Sequence, residues 1–288
     1  MLSLQISIAW LWICGAYYRQ RSVRRAIKLS YLGMGIFRLL FEFFFAYRRA
    51  RKNLNTAMRA RMAADPMTLA YHGGNYEQAL VLAADPFLRA EMLIQLGRPQ
   101  EAEQILRQMA DTVKEAKPRT LVMSQLGHLM MRQQRYGEAM ECFQLALRMW
   151  PERGSTYRAI AEWYLRRGDN PAEALSWARL AVEKEKAGPG LSPDSTAISL
   201  CEERSTLAWA VAVHLHDGVQ VDRLCEEIGF PALTPACSQA MSSFHFGKAW
   251  AALGDHARSA AHFEAAVRRD PNGVWGREAA AQRVANPA

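Results

Sequence analysis

The chain has 288 residues, half of them hydrophobic, with a formal net charge of +8, so it is long enough to bury a sizeable core in one or two domains. The charge is local: residues 1–61 hold twelve Lys and Arg against one acid, Glu42, a net +11, whereas the remaining 227 residues sum to −3. A duplex-binding surface needs cations spread along the phosphates, which argues against a nucleic-acid partner, and five scattered cysteines without a CxxC pair imply no disulfide framework.

Residues 1–18 carry no charged side chain, and at the rise of an α-helix they extend about 27 Å, close to the thickness of a bilayer's hydrocarbon. The bases follow this run instead of preceding it, as RQRSVRRAIK, which suits a retained anchor better than a cleaved leader. Trp10, Trp12, Tyr17 and Tyr18 suit an interfacial belt. A second run, residues 29–47, contains Arg38 and Glu42, which share a helical face at i, i+4 but are costly at the bilayer centre. It is expected to lie in the interface, to cross as the return arm of a hairpin, or to dock on the rest of the chain. With one span all twelve bases fall on the same side as the rest of the chain, which is then cytoplasmic. A two-span hairpin, or a soluble protein with a buried N-terminal helix, are the other readings.

Beyond this segment the sequence repeats. RYGEAMECFQLALRMWP, starting at Arg135, returns 120 residues later as DHARSAAHFEAAVRRDP, starting at Asp255. Small Ala139 and Ser259 precede Phe143 and Phe263 by four places, Ala146 and Ala266 follow by three, and Pro151 and Pro271 close each stretch. The first belongs to a unit, residues 120–153, in which Met123, Leu126 and Met130 recur at helical spacing with Gly127 beside them, then a tight turn, then a second helical run. A 34-residue helix, turn and helix in which small residues let two helices approach and aromatics fill the gaps resembles the tetratricopeptide repeat. Gly127, Ala139 and Ala146 match its small positions, Tyr136 and Phe143 its large ones and Pro151 its stop.

The next unit follows in register through Tyr157, Ala161, Tyr164, Gly168, Ala174 and Ala181, with one residue inserted in its GDNP turn. Residues 240–273 supply another, through Gly247, Trp250, Gly254, Phe263, Ala266 and Pro271. Weaker units precede them, with Gly97, Ala102 and Leu106, and with Gly74, Tyr76 and Ala79. AGPGLSPDS, residues 187–195, reads as a linker; residues 196–231 read as a degenerate helix pair, and WGREAAAQRV, residues 275–284, as a capping helix. The expected fold is therefore all-α, a solenoid of stacked helix pairs over residues 65–186 and 196–285, preceded in residues 1–61 by one or two hydrophobic helices. Stacking such pairs with a small rotation per unit creates a concave surface, and the resemblance implies that partners bind there.

Helical spacing places His128, Met131 and Arg132 on that surface in one unit, Arg158, Glu162, Leu165 and Arg166 in the next, and Phe244, Lys248 and Ala251 in the last full unit. The partner-binding groove is expected to be formed by His128, Arg132, Arg158, Glu162, Arg166 and Lys248. Four cations with one acid suit an acidic or carboxylate-ended peptide. The Lys and Asn clamp by which some tetratricopeptide proteins hold a C-terminal carboxylate is not matched, because Ser124 and His128 stand where it would begin. Adjacent acids such as Glu202 and Glu203 read as solvated. The histidines form no tight ligand pattern, and no nucleophile elbow, phosphate loop or dinucleotide fingerprint is present, so no enzyme, cofactor or metal site is expected. The leading expectation is a non-enzymatic, membrane-anchored scaffold that presents a groove to a protein or peptide in the cytoplasm. The alternative is a periplasm-facing accessory subunit of an envelope-biogenesis or transport complex.

Overall fold

Helix starts follow the local capping chemistry. Asp65 and Asp85 each precede a proline, and their carboxylates accept the backbone N–H groups of Thr68 and Leu88 at 2.8 and 3.1 Å. Asn170, Asp217 and Asp255 cap later helices in the same way. A computed structural model describes residues 65–188, 193–232 and 234–285, all within the second of two units, Ala63–Ala288. The described residues form thirteen helices: α1 (Pro66–His72), α2 (Tyr76–Leu82), α3 (Pro86–Gln95), α4 (Pro99–Thr112), α5 (Ala116–Arg132), α6 (Tyr136–Met149), α7 (Gly154–Arg167), α8 (Pro171–Ala187), α9 (Pro193–Leu215), α10 (Gly218–Glu226), α11 (Ala236–Ala252), α12 (His256–Arg269) and α13 (Val274–Ala285). The expected hydrophobic helices of residues 1–61 lie outside the described residues. Among those described, no helix is long and apolar enough to cross a membrane.

The helices pack as six antiparallel pairs, α1 with α2 through α11 with α12, and α13 covers the last pair. Each turn between partners holds one residue in the left-handed region: Gly74, Gly97, Gln134, Gly168, His216 and Gly254. In five turns this residue stands two places before the next helix, and in the GDNP turn it stands three places before, where the sequence has its inserted residue. Glycine adopts this conformation at no steric cost, so the six turns are one device written mostly in one residue type. The pair α9/α10 keeps the device with His216 although its helices have lost the small-residue signature, which marks it as a true unit of the array.

Within a pair, the close approach is built from glycine against phenylalanine. A Cβ on Gly127 would lie 2.4 Å from the Phe143 ring, and one on Gly247 would lie 2.6 Å from the Phe263 ring. The two contacts are separated by 120 residues in sequence, so the repeat in the sequence is a repeat in packing. Ala139, Ala146 and Ala266 are fully buried at the same interfaces. A continuous apolar core runs through Ala90, Leu106, Leu129 and Phe143 to Ile160 and Trp163, then through Leu175, Trp209 and Trp250, and on to Phe244, Phe263 and Trp275. Helix α9 begins at Pro193, so part of the expected linker 187–195 is helical.

Helices α3, α5, α7, α9 and α11 form the inner layer, each packed on the next, and α13 lies against α11 and α12. The array then closes, because α11 also reaches α1. The buried Tyr76 hydroxyl donates to Asp270 Oδ1 at 2.8 Å, the Val274 N–H donates to Gln95 Oε1 at 3.1 Å, and Arg277 donates to the Gln95 carbonyl at 2.7 Å. Tyr71 packs beside the core of α11 to α13 and its hydroxyl donates to Glu91 at 2.6 Å. The first and last turns of the described array thus sit against one another.

Candidate functional site

The inner layer turns a row of long polar side chains toward the axis of the closed array. Arg158, Glu162 and Arg166 stand four apart on α7 and therefore line one face, and His128 and Arg132 do the same on α5. Arg166 Nε donates to Glu162 Oε1 at 2.7 Å. Its second nitrogen donates to Glu278 Oε2, also at 2.7 Å, and Arg132 Nε donates to Glu278 Oε1 at 3.3 Å. Lys248 on α11 donates to Gln282 at 3.2 Å. Arg158 is enclosed by Glu162, Glu202 and Glu203 at 3.6, 3.8 and 3.7 Å, with Met241 Sδ at 3.6 Å.

The six residues expected in a groove are therefore neighbours in one polar cluster, but its charge and exposure differ from the expectation. Four cations with one acid would leave a basic face; the structure adds Glu202 and Glu203 from α9 and Glu278 from α13, so each arginine already has a carboxylate. Glu203 is fully buried, which corrects the reading of Glu202 and Glu203 as a solvated pair. Arg158 and Glu162 are buried as well, whereas Arg132, Arg166 and Lys248 keep partial access to solvent. Met131 and Leu165, expected on the concave surface, belong instead to the apolar core. These partners were missed because α9 comes from the degenerate unit, whose register the repeat pattern does not carry, and because a capping helix was not expected to point inward.

Burial sets the protonation of this interior. It lowers His128 and His245 to about 3, so both imidazoles are neutral at ordinary pH. His245 Nδ1 meets the hydroxyls of Ser205 and Thr206 at 3.2 and 3.1 Å, while no hydrogen bond reaches its Nε2. Burial would also raise the Glu162 carboxyl, but Arg166 and the other charges around it hold it well below the usual carboxylate range. Glu203 goes the other way: burial outweighs Arg158 and keeps its carboxyl far more basic than usual, and neither of its oxygens accepts a hydrogen bond.

Aromatic rings complete the surface. Trp275 of α13 lies 5.4 Å from Phe244 and 5.3 Å from His245, with the Arg132 guanidinium 4.8 Å above its ring. Among the described residues no three His, Cys, Asp or Glu side chains are grouped to hold a metal ion. Cys201 and Cys237 are buried, and Cys237, beside Tyr71 at 3.4 Å, is pushed up to about 12 by burial, so it is an inert thiol at neutral pH.

Residues 125–192, which span most of α5 to α8, match the family model of the tetratricopeptide repeat. No curated protein matches the chain. Among solved structures, the crystal structure of BtubC (BKLC) from P. vanneervenii is similar at 18% sequence identity and a TM-score of 0.44, covering 75% of this chain and 89% of that one.

Proposed function

We propose that the chain is a non-enzymatic scaffold that holds a protein or peptide partner on the inner face of its repeat array, anchored at a membrane by residues 1–61 with the array on the cytoplasmic side. Tetratricopeptide repeats are a protein-interaction fold, and residues 125–192 match that family. The observation that carries the binding part of the reading is the convergence of Arg132, Arg166 and Lys248, from three different helix pairs, on one partly accessible surface beside Phe244. Arginine and aromatic side chains are both enriched in protein interfaces. The uncharged run of residues 1–18, followed by bases that each contribute about 1 kcal/mol near an anionic leaflet, supports the anchor.

A photo-crosslinking amino acid at position 248 of the full chain in its native cells tests the interaction. Adducts with a second polypeptide are expected, and products confined to the chain itself would contradict the scaffold. A dual reporter fused after Ala288 tests the side: activity of a cytoplasmic reporter is expected, whereas active alkaline phosphatase would place the array outside.

A further inference from the structure

An end helix of a stacked array has one general task, to cover the apolar face of the last pair. Helix α13 does this with Val274, Trp275 and Ala279, which join the buried cluster of Met241, Phe244 and Phe263. It also does something that covering does not require. Trp275, Glu278 and Gln282 follow at i, i+3 and i+7, so they form one stripe, and each meets a side chain of the inner face. Trp275 lies under Arg132, Glu278 bridges Arg132 and Arg166, and Gln282 accepts from Lys248. Arg132 and Arg166 are 146 and 112 residues away from Glu278 in sequence. Arg132, Arg166 and Lys248, the cations of the expected groove that keep access to solvent, are thus all engaged by this one helix.

The two kinds of polar contact in the interior differ in accessibility. Arg158 and Glu162 are sealed, with side chains 8% and 0% exposed. The carboxylate of Glu278 is 24% exposed, and its partners Arg132 and Arg166 are 15% and 17% exposed. Water reaches the ion pairs that Glu278 makes, so these exchange with solvent more readily than those beneath them, while buried Trp275 and Ala279 hold the helix from its apolar side.

We propose that α13 is the resident occupant of the inner face, and that the protein partner of the scaffold inserts in its place a helix of the same chemistry, with a carboxylate one turn from an aromatic ring on a single stripe. This rests on the scaffold reading and specifies what that scaffold recognises. The face supplies two arginines for the carboxylate, Phe244 for the ring and Lys248 for a polar acceptor one turn further on. The closed array is then the unengaged state, in which the partner competes with a segment already tethered in place.

The test uses the full-length protein, its Glu278→Gln variant, and a labelled synthetic peptide of residues 272–285. Wild type is expected to bind the peptide weakly because its own α13 competes. Glu278→Gln keeps the shape of α13 but weakens its hold, so this variant is expected to bind the peptide at least tenfold more tightly. A peptide with Glu278→Lys is expected to bind neither protein, and adding Arg166→Ala to Glu278→Gln is expected to abolish the gain. In wild type, excess peptide is expected to remove amide protection from α13 while leaving α5 to α8 protected. Equal binding of the two peptides, or no gain in a folded Glu278→Gln protein, would make α13 a structural cap only and overturn the proposal. Concentration-dependent dimers in which two copies trade α13 would also overturn it, by assigning the face to self-association. Should the crosslink from position 248 to a second polypeptide persist when the peptide arms fail, the scaffold reading stands and only this inference falls.

Discussion

The contacts inside the helix pairs and the contacts that close the array hold the same protein together by different means. Inside a pair, Phe143 or Phe263 lies on a glycine and beside fully buried alanines, and the polar share is small, as where the Ser259 hydroxyl donates to the Gly247 carbonyl at 2.9 Å. At the closure, Tyr76 meets Asp270, Gln95 meets Val274, and Glu278 meets Arg132 and Arg166. Apolar contact is strong and indifferent to partner chemistry, whereas a hydrogen bond or ion pair contributes little net energy but is specific in geometry and costly to leave half made. The repeat interfaces therefore set the stability of the array, and the closure sets which arrangement of it is populated.

The largest expected effect comes from cutting into the first kind of contact. Phe263→Ala leaves a cavity against Gly247 and should destabilise by about 3–5 kcal/mol. Ala266→Leu, which overfills the same interface, should cost about 1–3 kcal/mol. Chemical denaturation of each variant checks both, and an unchanged midpoint would contradict the packing register.

Acid separates the polar interior from the apolar pairs. His128 and His245 ionise near 6.5 when unfolded and near 3 when folded. The unfolded state binds the extra protons, so stability should fall as pH drops from about 6.5 toward 3, by at most about 1.4 kcal/mol per unit for each histidine. Glu162, held low, also loses stability as pH falls below the ordinary range of a carboxylate, whereas Glu203, held high, favours the folded state as it takes up its proton and offsets part of the loss. A His128→Gln, His245→Gln double variant should show a shallower decline in melting temperature over that window.

At the closure, Tyr76→Phe removes the donor to Asp270 while keeping the ring, and the stranded carboxylate should cost about 1–3 kcal/mol. If closure is separate from pair packing, this variant should raise amide exchange in α1 and α13 and leave α5 to α8 unchanged. The smallest effect belongs to the turns. Gln134 holds the left-handed position that glycine takes in four of the six turns, so Gln134→Gly should stabilise by up to about 1 kcal/mol, the steric relief exceeding the entropy lost.

The sequence disclosed the two kinds of contact unequally, for a physical reason. Pair packing recurs with the repeat, so Gly127, Phe143 and Ala146 are echoed by Gly247, Phe263 and Ala266, and the expected solenoid of helix pairs is the observed one. The inserted residue at GDNP is legible for the same reason. Closure happens once, between Tyr76 and Asp270, 194 residues apart, and leaves no periodic trace. The candidate surface was half legible: periodicity found Arg132, Arg158, Glu162, Arg166 and Lys248 on one face. It missed Glu203 and Glu278, whose side chains enter from helices that depart from the repeat.

Closure of the array by α13 and the first turn is the central claim, and a distance tests it most directly. Glu77 and Asn272 are exposed and line the same cleft where the first and last turns meet. Spin labels at these two positions of the full-length protein should report a single short, narrow distance that broadens in Tyr76→Phe. A long or broad distribution in the unmodified background would show an open superhelix and contradict the account.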